Sequence, residues 1–280
     1  MGAALTCICG GTDFEPVFAY DAPPAGENRF PLPPGVPYRR EVRRCRACGH
    51  FRSVHDLPVG DLYREAYVSS VYGEDGLRTA FNKIVALSPE QSDNAGRVTR
   101  ILAFAVEQFP PSRPGDPPRT VLDVGSGLCV FLHRMKAAGW DGTALDPDPR
   151  AVRHAEEVAG VRGVCADFME ARDLGRFDLV TFNKVLEHVP DPVAMLARAA
   201  AFVKPEGFVY VELPDGEAAA AEGPGREEFF IEHHHAFSRQ SARTTACRAG
   251  YPATAPERLR EPSGKYTLRL FLPTPGEDRA

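Results

Sequence analysis

Residues 121–132 read Val121-Leu122-Asp123-Val124-Gly125-Ser126-Gly127-Leu128-Cys129-Val130-Phe131-Leu132. The first four residues predict a short buried strand, and two glycines at a Gly-x-Gly spacing follow it directly. The apolar side chains after the glycines recur at helical spacing, so the order is strand, glycine turn, helix, which is the start of a βαβ unit. Glycine allows a tight turn and a close approach of the backbone to a ligand because it has no Cβ.

The residues around this turn narrow the choice of ligand. Val130 stands where a dinucleotide-binding turn would have its third glycine, and no lysine follows Gly127 as it would in a P-loop. Asp123 puts a carboxylate just before the turn, which disfavours a phosphate and favours a cationic ligand. About twenty residues later, Asp146 ends a second predicted strand, where such folds bind a ribose diol. A ligand with a ribose, no phosphate and positive charge is S-adenosylmethionine.

In their order and spacing, residues 119–213 resemble the class I S-adenosylmethionine-dependent methyltransferases. Besides the glycine turn, the resemblance rests on Leu145-Asp146-Pro147, on Cys165-Ala166-Asp167-Phe168, and on Phe177-Asp178-Leu179-Val180 followed by Val185-Leu186-Glu187-His188-Val189-Pro190-Asp191-Pro192. It implies a set of donor-binding residues: Asp123, Gly125, Ser126 and Gly127 at the methionine half, Asp146 at the ribose, Asp167 and Phe168 at the adenine, and Asn183 at the junction with the acceptor.

The pattern after residue 118 predicts an α/β fold. Strands are expected over 142–145, 161–165, 177–182 and 208–213, helices over 130–138, 150–159 and 193–202, and a late antiparallel strand over 268–272. Strands that alternate with helices predict a parallel sheet with helices on both faces, and the resemblance implies a Rossmann-like sheet of seven strands. We expect three parts: a zinc-binding module over 1–60, a helical lid and linker over 61–118, and the donor-binding domain over 119–280. In the lid, Tyr63, Tyr67 and Tyr72 are candidates for the acceptor pocket.

Four cysteines mark the amino-terminal part as a candidate metal site. Cys7 and Cys9 precede one glycine, and Cys45 and Cys48 precede another. Four thiolates satisfy a tetrahedral Zn²⁺, and a metal would stabilise a short, proline-rich region that has little core of its own. The pattern resembles the zinc-binding module of some sugar and natural-product methyltransferases. His50 and His55 are possible substitute ligands. Four unliganded cysteines remain the alternative, and the five arginines between Arg39 and Arg46 predict a basic patch or a solvated strand.

Histidines after the fifth strand are the candidates for catalysis. Residues 229–238 resemble the Glu-His-x-x-x-Phe/Tyr-Ser loop of sugar methyltransferases. In the sugar C-methyltransferases that carry the zinc-binding module, the histidine at the position of His233 is the general base. His234 and His235 compete for that role, because a shift of one residue in a loop changes which side chain points inward. His188 belongs to a Leu-Glu-His motif and is a further candidate. Phe230 stands where the sugar C-methyltransferases have a tyrosine, which leaves O- and N-methylation open.

The composition of the chain limits the classes of partner that we expect for it. The net charge of −5 makes nucleic acid an unlikely main partner. The sequence contains no run of 18 apolar residues, so we expect no membrane span. The first residues lack the basic and apolar parts of a secretory signal, so we expect a cytoplasmic protein with reduced cysteines. The first interpretation is methyl transfer to a sugar, nucleotide sugar or natural-product intermediate. The alternatives are a ribosomal-RNA methyltransferase with an amino-terminal zinc site and a donor-binding protein without catalysis. The sequence leaves the oligomeric state open.

Overall fold

Two β-sheets organise the chain in the computed structural model, which describes residues 5–29, 32–57 and 76–274. In chain order the strands are β1 (Phe14–Tyr20), β2 (Arg40–Cys45), β3 (Phe51–Val54), β4 (Thr120–Val124), β5 (Asp141–Asp146), β6 (Arg162–Cys165), β7 (Phe177–Asn183), β8 (Val203–Pro214), β9 (His235–Ala236), β10 (Glu257–Arg260) and β11 (Tyr266–Pro273). The helices are α1 (76–85), α2 (Asp93–Gln108), α3 (Val130–Ala137), α4 (Pro149–His154), α5 (Pro192–Arg198), α6 (Gly216–Ala220) and α7 (Arg239–Arg248).

The larger sheet has seven strands in the order β6-β5-β4-β7-β8-β11-β10. Neighbouring strands from β6 to β8 are parallel, whereas β11 runs antiparallel to β8 and β10 runs antiparallel to β11. This confirms the predicted α/β, Rossmann-like, seven-stranded methyltransferase sheet and its late antiparallel strand. β10 was not predicted, because its sequence, Glu-Arg-Leu-Arg, is mostly charged and lies largely exposed at the edge of the sheet.

Helices cover both faces of this sheet, as the sequence predicts. Val121 and Leu122 are adjacent in β4 and both fully buried, but they belong to different apolar clusters because successive side chains of a strand point to opposite faces. Leu132 of α3 packs in the cluster of Val121, and Leu196 of α5 packs in that of Leu122.

Side-chain caps mark the beginning of two helices. Asp148 accepts a hydrogen bond from the backbone N–H of Arg150 at 2.8 Å, and Ser92 accepts one from that of Ala95 at 3.2 Å. These side-chain acceptors fix where α4 and α2 begin, because the first N–H groups of a helix have no partner within it.

The smaller sheet has the order β1-β2-β3-β9, and its fourth strand comes from a distant part of the chain. Phe51 pairs with Ala236 and Arg52 with His235 in an antiparallel register. Residues 235–236 belong to the last of the three expected parts, yet they complete the sheet of the first. The division at 60 and 118 therefore remains an expectation, and the module and the histidine loop share one sheet.

The arginines of 39–46 do not form a uniform solvated face. Arg40 is buried and forms an ion pair with the buried Glu27 at 2.8 Å. Arg43 is half-buried and pairs with Glu41, and Arg44 is exposed and pairs with Glu15. The strand expectation is correct for β2, and the position of Arg40 corrects the expectation of a solvated row of cations.

Some expectations fall on residues that the structure does not describe. Tyr63, Tyr67 and Tyr72 lie outside the described ranges, so the lid and its acceptor contacts stay predictions. Within the described ranges, none of the helices combines the length and the apolar character needed to cross a bilayer.

Candidate functional site

Four neighbouring parallel strands bring the predicted donor residues to one edge of the sheet. β4 ends before Gly125, β5 ends at Asp146, β7 ends at Asn183, and Asp167 follows the end of β6. Open parallel sheets bind ligands at this edge, where the strand order reverses around the first strand. Residues separated by up to sixty positions in sequence are therefore neighbours, as the sequence pattern predicts.

The glycine turn lies against the end of β5 and against Val185. The backbone N–H of Gly125 donates to the carbonyl of Leu145 at 2.8 Å, and the carbonyl of Ser126 accepts from the N–H of Cys129 at 2.9 Å. Gly125 has φ +67°, and a Cβ there would stand 2.9 Å from Cγ2 of Val185. Glycine is required at this position by both its backbone conformation and this close contact.

Asp146 links the second strand to the glycine turn. Its Oδ2 accepts from the N–H of Gly127 at 3.0 Å, and its Oδ1 accepts from the N–H of Asp148 at 2.9 Å. Burial raises the pKa of Asp146, although both backbone hydrogen bonds act against that shift. Each carboxylate oxygen keeps a second lone pair, so the group can also accept from a ligand diol.

Asp123 is buried beneath the turn and holds the end of β7. One of its oxygens accepts from Oγ1 of Thr181 at 2.6 Å and from Nδ2 of Asn183 at 2.8 Å. Burial raises the pKa of Asp123 to about 6, against the effect of these donors. The Oδ1 atom of Asn183 is buried without a hydrogen-bond partner in the described part of the chain. Asp123 and Asn183 thus form one hydrogen-bonded unit at the predicted donor edge.

The two residues expected at the adenine have different surroundings. Asp167 is exposed, and its carboxylate accepts from the N–H of Met169 at 2.8 Å, which fixes the turn after β6. Phe168 is buried, with its ring packed against Phe182 and Phe202 at centroid distances of 5.5 and 5.4 Å. Its ring therefore belongs to the core. Stacking of this ring on adenine stays a prediction.

His188 and His233 meet beside the edge of the sheet where the predicted donor residues Gly125, Asp146 and Asn183 lie, which we call the donor edge. Their rings lie 4.8 Å apart, edge to face, and both are half-buried. Nδ1 of His188 contacts the carbonyl of Glu232 at 2.9 Å, and Nδ1 of His233 contacts that of Glu228 at 3.0 Å. A backbone carbonyl only accepts, so each Nδ1 carries the proton and each neutral ring keeps Nε2 as a proton acceptor.

Burial keeps both imidazoles neutral. It lowers the pKa of His188 to about 4 and that of His233 well below its ordinary value. The positive charges of Lys184 and Lys265 act in the same direction on both rings. The pair can therefore accept a proton at neutral pH but does not hold it there as a stable imidazolium.

The three consecutive histidines of the loop have separate surroundings. His234 is half-buried, and its backbone N–H donates to the carbonyl of Glu187 at 2.8 Å. His235 is buried in β9, with Nδ1 2.9 Å from Nε2 of His50. The other ring nitrogen of His50 contacts Oγ of Ser241 at 3.2 Å, so both of its nitrogens face α7 and β9.

The four amino-terminal cysteines converge on one point. Their sulfur atoms lie within 4.8 Å of one another, with Cys7 and Cys48 3.4 Å apart and Cys9 and Cys45 3.7 Å apart. Four thiolates around Zn²⁺ at about 2.3 Å would stand roughly 3.8 Å from one another. The residues therefore fit a closed tetrahedral site in which no cysteine has to move far.

Two buried groups near the site were not anticipated from the sequence. Glu187, next to His188, is fully buried, and one of its oxygens lies within 4.8 Å of ring nitrogens of His188 and His233. Glu212, at the end of β8 beside Asn183, pairs with the buried Arg97 and with Arg269, the latter at 2.9 Å. Glu187 lies within the Leu-Glu-His motif, but its burial, like the ion pairs of Glu212, depends on residues distant in sequence and has no local signal.

Comparison with known proteins agrees with the fold. The family model described as a methyltransferase domain matches residues 91–254. Over 99 residues the chain is 36% identical to the ubiquinone biosynthesis O-methyltransferase of Ralstonia nicotianae, a match that covers 33% of this chain and 42% of that protein. A protein of the same description from Bordetella avium is 37% identical over 100 residues, covering 33% of this chain and 41% of the relative. The chain thus matches less than half the length of these relatives.

Two solved structures share the fold over most of the chain. The 1,6-didemethyltoxoflavin-N1-methyltransferase of Burkholderia thailandensis, solved with S-adenosylhomocysteine, has a TM-score of 0.54 and 20% identity, covering 84% of this chain and 95% of that one. The magnesium protoporphyrin IX methyltransferase of Synechocystis, also with S-adenosylhomocysteine, has a TM-score of 0.54 and 14% identity, covering 77% and 99%. The chain therefore belongs to the methyltransferase domain family, and its fold is that of the class I S-adenosylmethionine-dependent methyltransferases.

Proposed function

We propose that the protein transfers a methyl group from S-adenosylmethionine to a small-molecule acceptor. The observation that carries the proposal is the meeting of the donor edge with the histidine pair: Val185 lies against Gly125, and His188 follows three residues later. A donor bound along the ends of β4 to β7 would thus have its reactive end beside proton-accepting side chains.

In the proposed site the chain's own residues hold the donor. Asp146 accepts hydrogen bonds from the ribose hydroxyls, and the turn of Gly125, Ser126 and Gly127 lies along the methionine half. Asp123 offers negative charge to a cationic ligand and keeps Asn183 in place through their hydrogen bond of 2.8 Å. Asp167 is proposed to contact the adenine amino group, since it is exposed at the end of β6.

We propose that His233 is the general base. Methyl transfer is an in-line displacement, so the protein must align donor and acceptor and remove the acceptor's proton. The bond from Nδ1–H to the carbonyl of Glu228 orients the ring and leaves Nε2 able to take that proton. His188 is the second candidate because its ring packs on that of His233. His234 is the third, although the resemblance to the sugar methyltransferase loop favours His233.

The acceptor class proposed is a sugar, a nucleotide sugar or a natural-product intermediate. Two of the similar proteins are described as methyltransferases of other small molecules, 1,6-didemethyltoxoflavin and magnesium protoporphyrin IX. The curated relatives are described as ubiquinone biosynthesis O-methyltransferases. The net charge of −5 disfavours ribosomal RNA, for which strongly salt-dependent binding would be the signature.

A structural Zn²⁺ is proposed at Cys7, Cys9, Cys45 and Cys48. The metal would stabilise the two turns that carry the cysteine pairs. With four protein ligands, it would have no open coordination position for catalysis. The carbonyl of Cys48 accepts from Oγ of Ser238, and β3 pairs with β9, so this site also supports the start of α7 and the histidine loop.

A panel of labelled transfer assays tests the function. Wild-type protein, His233→Ala and His234→Ala are incubated with methyl-labelled S-adenosylmethionine and a set of nucleotide sugars and hydroxylated aromatic compounds. We expect turnover by the wild type and its loss by about 10²–10⁴-fold in His233→Ala, with donor affinity retained. Turnover that survives in His233→Ala but falls in His234→Ala would reassign the base. Absence of turnover with every acceptor, together with tight donor binding, would favour a donor-binding protein.

A further inference from the structure

Glu187 is a buried charge that donor binding does not explain. It is fully buried, and neither carboxylate oxygen has a hydrogen-bond partner within the described residues. Leaving a buried polar group unpaired is costly, and for an ionised group the cost is greater. The backbone around it is fixed, because its carbonyl accepts from the N–H of His234 at 2.8 Å. The carboxylate therefore has a defined position and needs a proton or a cation as its partner.

The charges that face Glu187 come from several elements. Lys184 at the end of β7 and Lys265 before β11 act on it as cations, and Glu212 of β8 acts as an anion. His188 and His233 each bring a ring nitrogen within 4.8 Å of it. Burial raises the pKa of Glu187 to about 7, and Lys184 opposes that shift. The group therefore changes protonation close to neutral pH.

A general base at His233 must transfer the proton that it accepts to another group. Burial, His188 and the two lysines all disfavour an imidazolium at His233. Glu187 is an acidic group close to that ring whose protonated form is favoured by burial. The two groups complement each other, because the neutral ring of His233 holds the acceptor's proton only transiently and Glu187 retains it near pH 7.

We propose that Glu187 receives the acceptor's proton from His233 during methyl transfer, which makes it a positioning and proton-accepting residue that acts through that histidine. The inference rests on the proposed function. The acceptor's bond to hydrogen breaks and its proton goes to Nε2 of His233. The acceptor's electron pair forms the new bond to the methyl carbon, while the pair of the broken C–S bond stays on sulfur and gives S-adenosylhomocysteine. The proton then moves to the Glu187 carboxylate and leaves to solvent after product release.

A divalent cation is the other partner that this cluster could have. The oxygen of Glu187 and one ring nitrogen of each histidine are close enough to ligate one ion. The ammonium groups of Lys184 and Lys265 act on all three of these groups and oppose a second positive charge there. A proton is therefore favoured over a metal, and metal content is an arm of the test.

The pH dependence of turnover tests the inference. In the wild type kcat should rise through about pH 7, because only ionised Glu187 can accept a proton. In Glu187→Gln kcat should fall by roughly 10²-fold and no longer rise near pH 7, while donor affinity stays unchanged. Glu187→Asp should restore part of the activity and part of the pH dependence. Glu107→Gln, an exposed change on α2, is the control. A rise in kcat near pH 7 that persists in Glu187→Gln would overturn the inference. So would a second stoichiometric metal, besides the one proposed at the four cysteines, that is lost in Glu187→Gln.

An infrared titration separates this inference from the proposed function. Difference spectra of the wild type between pH 6 and pH 8 should contain a carboxyl band that disappears in Glu187→Gln. Its absence would overturn the role of Glu187 even if methyl transfer occurs. Failure of the wild type to methylate any acceptor would count against the proposed function, whatever the spectra show.

Discussion

Val185 approaches Gly125 so closely that a Cβ on the glycine would stand 2.9 Å from Cγ2 of the valine. Gly127, two residues later, has φ +49° and no heavy atom within 4 Å of the corresponding position. Both glycines thus lie in the left-handed region, but only one lies against a side chain. The contact joins the turn at the donor edge to the segment that carries Glu187 and His188.

Alanine substitutions at Gly125 and Gly127 should separate the cost of the left-handed backbone from the cost of the steric contact with Val185. Gly125→Ala and Gly127→Ala share the cost of a left-handed alanine, about 1–2 kcal/mol. Gly125→Ala should destabilise the fold by about 1–3 kcal/mol more, because Val185 must move. Denaturant unfolding of both variants measures the difference. Equal losses would show that the Val185 contact does not constrain the turn.

Zinc content should follow the cysteine cluster. Elemental analysis of freshly purified, reduced protein is expected to find about one zinc per chain, since four thiolates fill one tetrahedral shell. Cys45→Ser should lose the metal and lower the melting temperature, whereas Cys247→Ser, an exposed cysteine on α7, should change neither. Metal-free wild-type protein of undiminished stability would rule out a structural zinc site.

Glu212 should be essential for stability because it neutralises two buried arginines. Burial alone would raise the pKa of Glu212, but the charge and hydrogen bond of Arg97, together with Arg269, lower it to about 2. Glu212→Gln leaves the buried Arg97 without its carboxylate partner and Arg269 with only Glu261, at 2.7 Å, and should cost about 3–5 kcal/mol in the free energy of unfolding. Glu257→Gln, which breaks an exposed pair with Arg100, should cost less than about 1 kcal/mol. Similar losses in the two variants would contradict the account.

The same ion pairs set a pH window. The folded pKa of Glu212 lies below its ordinary value, so its contribution to stability is complete above about pH 4.5 and is lost as the pH falls towards 2. Urea midpoints measured from pH 6 to pH 3 should therefore decrease more steeply in the wild type than in Glu212→Gln.

The sequence predicted the larger sheet and the position of Gly125, Asp146 and Asp167 at one of its edges, because these follow from local patterns. The strand before Gly125, the carboxylate at Asp146 and the turn at Asp167 each have a signal within a few residues. The pairing of β3 with β9 has no such signal, since Phe51 and Ala236 are brought together only by the complete fold. The burial of Arg40 and Glu187 was missed for the same reason: a buried charge is recognisable only from partners that are distant in sequence.

Donor binding by Asp146 is the central claim, and calorimetry with S-adenosylmethionine tests it most directly. A hydrogen bond to a charged group contributes roughly 1.5–3 kcal/mol, so Asp146→Ala should weaken donor binding by about 10–100-fold. Asp141→Ala removes an exposed carboxylate at the other end of the same strand and should leave affinity unchanged. Wild-type affinity in a folded Asp146→Ala variant, or no binding of the donor by the wild type, would contradict the account.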